Sequence, residues 1–335
     1  MNGVAAGGWP LRGYNASMSA RPELASEAVT SCRPPGADAP PCFQAPGDLP
    51  TAPARQPRDT TTLTRGPATV LRQLGLYPRK RLSQSFLVDR RIAEAIGAAA
   101  ALAPADTVLE IGPGLGLLTA ALVRRAGRVI AVELDAQLAA ALPGLLGHPP
   151  NLTVVHGDAL ALDPAALVPA DYKVVANLPY HITSPLLRHL LATAHRPRRL
   201  VVMVQREVAE RITAPPGQWS YLTVLVQLYA APRLVRVVPP GAFYPRPKVE
   251  SAVLALEVYP APRVAATAPE VFLQVVQAGF KQPRKQLRNS LAEGLGCSPA
   301  EAAALLRRAQ LDPARRPQTL TLPEWDRLYQ VVHDA

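Results

Sequence analysis

Five short runs of branched aliphatic residues recur through the middle of the chain, each separated from the next by enough residues for one helix. They are Val108-Leu-Glu-Ile111, Arg128-Val-Ile-Ala-Val132, Leu152-Thr-Val-Val155, Lys173-Val-Val-Ala176 and Leu200-Val-Val-Met-Val204. A near-continuous apolar run reads as a strand covered on both faces, and parallel neighbours need a crossover of roughly a dozen residues or more. Amphipathic stretches at 117–124 and 136–146 lie where such crossovers belong. The pattern therefore predicts an α/β fold from about residue 67, a mostly parallel sheet with helices on its faces. A late strand is expected over 249–258, after which Pro260, Pro262 and Pro269 mark a linker. The remainder reads as short helices at 271–277, 285–295, 299–309 and 322–332, which divides the chain into 67–258 and a smaller helical domain, 259–335.

Residues 1–66 are expected to form a disordered extension. Ten of the 37 prolines fall within 1–60, without helical or strand periodicity, so little apolar surface is available to offset the entropy of ordering. The five acids there oppose a transit peptide, and a misassigned start is an equal alternative. Five arginines cancel those acids, so the net charge of +11 belongs to the folded part and favours a polyanionic partner. No apolar run approaches the roughly 20 residues of a membrane span, so no membrane association is expected. Cys32, Cys42 and Cys297 lack metal-ligand spacing, as do His156 and His181. The expectation is a reducing cytosol, no metal, and no catalytic histidine.

Val108-Leu-Glu-Ile-Gly-Pro-Gly-Leu-Gly-Leu-Leu-Thr119 is a strand, a glycine-rich turn and a helix start in that order. Gly112, Gly114 and Gly116 permit a tight turn and bring backbone close to a ligand. Glu133 ends the next strand, where an acid accepts hydrogen bonds from ribose hydroxyls. A nicotinamide dehydrogenase would share both features. Its pyrophosphate, however, calls for Gly-x-Gly-x-x-Gly rather than the Gly-x-Gly-x-Gly found here, which suits a nucleoside cofactor without pyrophosphate. Asp158, in His156-Gly-Asp-Ala159, either accepts from the cofactor's adenine amine or caps a helix over 159–167.

Asn177-Leu-Pro-Tyr180 follows the fourth run, at the strand end where open α/β sheets bind ligands. The lone pair of an exocyclic adenine amine is delocalised into its ring, which makes it a poor nucleophile. Acceptors aimed at its two N–H groups, the Asn177 side-chain oxygen and the Leu178 carbonyl, would favour rehybridisation. Pro179 fixes the backbone that presents that carbonyl, and Tyr180 offers a ring for an extruded base. Phe243 is followed by two prolines, which hinder a central strand and favour a loop bordering the pocket.

Together these segments resemble the KsgA-type ribosomal RNA adenine N6-dimethyltransferases, over about residues 78–295. Lys80-Arg-Leu-Ser-Gln-Ser-Phe-Leu-Val-Asp89 is similar to the segment that closes over the cofactor in that family, and Phe243-Tyr-Pro-Arg-Pro-Lys-Val-Glu-Ser251 to Phe-x-Pro-x-Pro-Lys-Val-x-Ser. Phe280-Lys-Gln-Pro-Arg-Lys-Gln-Leu-Arg-Asn-Ser-Leu291 resembles its basic RNA-touching helix. The resemblance implies a Rossmann-like seven-stranded domain that uses S-adenosyl-L-methionine, held by Ser85, Leu87, Gly112, Gly114, Glu133, Asp158 and Asn177. It implies that Asn177, Leu178, Pro179, Tyr180 and Phe243 surround the target base and that Lys281, Arg284, Lys285 and Arg288 contact RNA. The substrate implied is two adjacent adenosines in a hairpin near the 3′ end of small-subunit ribosomal RNA, in an immature 30S particle, modified by a cytoplasmic monomer. Ser83 stands for the usual Gly, Ser85 for Asn and Pro283 for Arg, which touches the lid and the RNA grip but not the Asn-Leu-Pro-Tyr loop. The alternatives are a large-subunit enzyme of the antibiotic-resistance type and a noncatalytic assembly factor. The bland readings are a solvated helix face for 281–288, ion-pair buttressing for Gln205-Arg-Glu207, and packing for Trp219 and Tyr221.

Overall fold

The structure is a computed structural model that describes residues 66–79 and 84–334. The expectations for the extension over 1–65, for Cys32 and Cys42, and for Ser83 lie outside the described residues. The strands are β1 (Phe86–Leu87), β2 (Thr107–Ile111), β3 (Arg128–Glu133), β4 (Leu152–His156), β5 (Lys173–Asn177), β6 (Arg199–Gln205), β7 (Ala230–Val238), β8 (Phe243–Tyr244) and β9 (Ser251–Val258). The helices are α1 (Pro67–Gln73), α2 (Arg90–Ala99), α3 (Leu117–Val123), α4 (Ala136–Leu145), α5 (Pro164–Leu167), α6 (Thr183–Leu191), α7 (Arg206–Ile212), α8 (Tyr221–Tyr229), α9 (Pro269–Gly279), α10 (Leu287–Leu295), α11 (Pro299–Arg308) and α12 (Leu322–His333).

Seven strands form one sheet in the order β4-β3-β2-β5-β6-β9-β7, Rossmann-like as expected. The first five are parallel, while β9 runs antiparallel to both β6 and β7. The chain steps outward from β2 through β3 to β4, then returns to lay β5 on the other side of β2. At that reversal the loops after β2 and β5 diverge, which leaves a crevice at their carboxyl ends. Side chains alternate along each strand. Leu109, Ile111, Val174 and Ala176 face α6, α8 and the C-terminal helices, whereas Val108, Val129, Val175 and Val201 face α2 and α3.

Strand β7 and helix α8 were not marked by the sequence pattern. Pro232, Arg233 and Arg236 interrupt the apolar alternation of β7, which is tolerated because β7 is the outermost strand and carries a register shift between Leu234 and Arg236. Helix α8 is apolar on nearly every side because it is enclosed, and Ser220 and Thr223 form a capping box at its start. Trp219 is a packing residue, 7% exposed, with Nε1 donating to the Ala214 carbonyl at 3.0 Å.

Beyond Val258 the described elements are helical. Phe272 and Val276 of α9, Leu287 and Leu291 of α10, Leu306 of α11 and Trp325 of α12 join the same apolar cluster as the sheet and α8. The helix expected from Lys285 begins at Leu287, so three of the four cations at 281–288 precede it. Among the described residues no helix is long and apolar enough to cross a membrane, and no group of three or more His, Cys, Asp or Glu is placed to hold a metal ion.

Candidate active site

The β2–α3 turn supplies the floor of a cavity that is open to solvent. Gly112, Gly114 and Gly116 have φ of 68°, 55° and 83°, the left-handed region that side chains disfavour. Gly114 also needs its missing side chain for space, because a Cβ there would lie 2.9 Å from the Phe86 ring. Its N–H donates to Glu133 Oε2 at 3.0 Å, and Asp135 N–H donates to Oε1 at 3.0 Å. Each carboxylate oxygen retains a lone pair after accepting one bond, so Glu133 can still receive two hydroxyls from a ribose.

One wall comes from the segment preceding α2. Its two-residue strand β1 pairs antiparallel with β8, setting Phe86 opposite Tyr244 and Leu87 opposite Phe243. Upstream, Arg79 is held by an ion pair to the buried Asp135 at 3.1 Å, and its N–H donates to Gln84 Oε1 at 2.8 Å. Ser85, Leu87 and Phe243 all line the cavity, and Phe243 is outside the main sheet, as its two following prolines require.

The opposite wall is the loop after β5. Asn177, Leu178, Pro179 and Tyr180 all line the cavity. Leu178 N–H donates to the Met203 carbonyl at 3.1 Å, which continues the ladder to β6 by one residue. Asn177 Nδ2 donates to the Ser85 carbonyl at 3.2 Å. A carbonyl can only accept, so the amide is oriented with its nitrogen toward Ser85 and its oxygen away. The Tyr180 hydroxyl lies 2.8 Å from Oγ of the fully buried Ser251, which fixes the ring at the cavity edge. Burial pushes the Tyr180 phenol up, and the Ser251 hydrogen bond opposes that rise in part.

Behind the glycine turn, Glu110 is 1% exposed and neither of its oxygens has a hydrogen-bond partner among the described residues. Burial pushes its carboxyl up to about 8, the nearby Thr119 hydroxyl opposes the rise, and the Glu133 charge adds to it. Glu110 is therefore neutral at pH 7. Burial also raises Glu133, although backbone N–H groups from Asp135 and Gly114 favour its charged form. Of the two carboxyls, Glu133 lines the cavity, while Glu110 lies behind the turn, outside the lining.

Asp158 is the one expected cofactor contact that does not line the cavity. It is exposed and accepts from Leu160 N–H at 2.9 Å, while α5 starts later and is capped by Asp163. Lys281, Arg284, Lys285 and Arg288 are all exposed, the first three on the turn before α10. Arg206 pairs with Glu210 at 2.7 Å and Glu250 at 2.8 Å, so the Gln205-Arg-Glu207 segment does buttress the loops. Sequence reasoning missed Phe86, which covers Gly114, and the partnership of Ser251 with Tyr180. Both residues stand in recognised motifs, but a motif does not show which distant residue each one meets.

Residues 76–327 match the family model for ribosomal RNA adenine dimethylase. Ribosomal RNA small subunit methyltransferase A of Dehalococcoides mccartyi is 46% identical over 255 residues, covering 76% of this chain and 88% of that protein. Its counterpart in Moorella thermoacetica is 46% identical over 268 residues, 76% of this chain and 93% of that protein. Among solved structures, the 23S rRNA methyltransferase ErmE is similar with a TM-score of 0.58 and 31% identity, covering 74% of this chain and 99% of its own. A dimethyladenosine transferase from Plasmodium falciparum gives a TM-score of 0.62 at 26% identity, covering 72% and 95%.

Proposed function

The chain belongs to the ribosomal RNA adenine dimethylase family, and from that premise we propose that it dimethylates the N6 amines of two adjacent adenosines in a hairpin near the 3′ end of 16S ribosomal RNA. S-adenosyl-L-methionine, when bound, supplies a methyl group on a positively charged sulfur that is open to in-line displacement. Gly112 and Gly114 hold the methionine end of that cofactor against bare backbone, Glu133 accepts its ribose hydroxyls, and Ser85 and Leu87 close the lid over it. Asp158 accepts from the cofactor's adenine with the carboxylate oxygen that does not bond Leu160.

The observation that carries this reading is the oriented amide of Asn177. With Nδ2 committed to Ser85, the side-chain oxygen is left to accept from the target amine. The Leu178 carbonyl, presented by a backbone that Pro179 constrains, takes the second N–H. Two acceptors in that arrangement draw the amine toward a tetrahedral geometry and localise its lone pair. Tyr180 and Phe243 sandwich the extruded base. The rate comes from positioning and from preorganised dipoles rather than from a strong base. Lys281, Arg284, Lys285 and Arg288, in the helical region 259–335, grip the RNA backbone.

The substrate is the immature 30S particle, and the protein acts as a cytoplasmic monomer without a metal. The small-subunit assignment is supported by relatives at 46% identity that carry that name, against 31% for a 23S-acting structure. Transfer of labelled methyl groups to undermethylated 30S particles, beside 50S particles and naked RNA, tests it. Label is expected in dimethyladenosine of the 30S RNA. Label confined to 50S particles would overturn the small-subunit reading, and cofactor binding without transfer to any substrate would favour the assembly-factor alternative.

A further inference from the structure

The segment 243–249 joins the cavity to the surface. Phe243 lines the cavity and is 5% exposed, while the very next residue, Tyr244, keeps 37% of its surface exposed. Arg246 and Lys248 follow at alternate positions, both exposed, and neither is in an ion pair among the described residues. The acid beside them, Glu250, is already engaged by Arg206 at 2.8 Å, so their charge is not locally cancelled. The segment is also held in place at both ends. β8 is paired to β1, and β9 enters the main sheet with Ser251 opposite Gln205. Pro245 and Pro247 restrict the backbone between.

An exposed aromatic ring beside two uncompensated cations, on a pinned backbone directly after a residue that lines the cavity, has the chemistry of a single-strand nucleic-acid contact: a π-face for a base and charges for its phosphates. We propose that 244–248 is an RNA-docking arm, separate from 281–288, on which Tyr244 stacks the base next to the adenosine inside the cavity while Arg246 and Lys248 hold the flanking phosphates. The inference rests on the methyltransferase reading above, because an extruded base beside Phe243 brings its chain neighbour near the residues that follow Phe243. Where two adjacent adenosines are modified, the base held on Tyr244 is the other target.

Binding of the full-length protein to a hairpin RNA with two adjacent adenosines, measured across a salt series, separates the two parts of the arm. Tyr244→Ala should weaken binding by about 5- to 150-fold, from the 1–3 kcal/mol associated with stacking one base, and leave the salt slope unchanged. Tyr244→Trp should bind like the wild type. The double variant Arg246→Ala/Lys248→Ala should reduce the slope of log K against log salt by about 0.7 for each phosphate that is no longer neutralised. Cofactor affinity should match wild type throughout, and if Tyr244→Ala loses it, Tyr244→Leu replaces that variant with apolar bulk and no ring. Wild-type RNA affinity in the ring-less variant, or an unchanged slope in the cation variant, overturns the arm while methyl transfer by the wild type stands. Absence of both RNA binding and transfer in the wild type removes the functional reading and the arm with it.

Discussion

Asn177 Nδ2 donates to the backbone carbonyl of Ser85 at 3.2 Å, across 92 residues of sequence. The bond ties the lid segment to the loop after β5 and decides which end of the amide faces the cavity. The lid residue contributes through its main chain, so having Ser rather than Asn at position 85 leaves this contact intact.

Replacing that amide should separate chemistry from binding. Asn177→Ala is expected to retain cofactor affinity within a few-fold and to lose about 100-fold or more in single-turnover methyl transfer, by analogy with loss of one preorganised polar group in other active sites. Asn177→Asp keeps an acceptor but has no N–H for Ser85, and should fall between Ala and wild type. Equal turnover in wild type and Asn177→Ala would remove Asn177 from the mechanism.

The buried carboxyl of Glu110 predicts a pH dependence of stability. Its ordinary value of 4.5 applies to the unfolded chain and about 8 to the folded one. Between those values the folded state keeps a proton that the unfolded state releases. Its stabilising contribution is therefore complete below about 4.5, declines as pH rises, and is exhausted above about 8. At 1.36 kcal/mol per pKa unit the loss is on the order of 5 kcal/mol. Glu110→Gln should unfold at a similar urea concentration to wild type at pH 5 and at a higher one at pH 9. Parallel profiles for the two proteins would contradict this account of the site.

At the opposite end of the strands from the cavity, Asp106 accepts from Lys173 Nζ at 2.8 Å and from Arg198 at 2.7 Å. Burial works against its charge, but the Lys173 hydrogen bond and other partners more than offset it and hold the carboxyl below its usual range. Lys173 is only 5% exposed, so Asp106→Ala would strand a buried cation and should cost about 3–5 kcal/mol in chemical denaturation. Adding Lys173→Met should restore a large part of that loss. Without such recovery, the damage would have to come from something other than the stranded charge.

Helices α9 and α10 cross where Gly294 meets Ala278. A Cβ at 294 would lie 2.4 Å from the Ala278 Cα and 2.5 Å from its carbonyl oxygen, and backbone atoms cannot step aside. Gly294→Ala gains up to about 1 kcal/mol of helix propensity but forces an overpacked crossing, which typically costs about 1–3 kcal/mol. The expected result is a lower melting temperature with methyl transfer retained below it. A higher melting temperature would mean that the helices separate at little cost.

Features written in consecutive residues were legible without coordinates. The apolar runs of β2 to β6 mark strands because most of their positions are covered by neighbouring elements, although β4, at the sheet edge, is only partly covered, and the glycine turn and Asn-Leu-Pro-Tyr loop carry their geometry in the residue types themselves. Strand β7 was not legible, because Pro232, Arg233 and Arg236 break its apolar alternation, which an edge strand with a register shift tolerates. Periodicity tells which face of an element is apolar and is silent on what will cover it. The pairing of Phe86 with Tyr244, the clasp between Tyr180 and Ser251, the neutrality of Glu110 and the orientation of Asn177 all depend on residues brought together from distant parts of the chain. Hydrogen bonds and dielectric environment are properties of position in space, so these features came into existence only with the packed molecule.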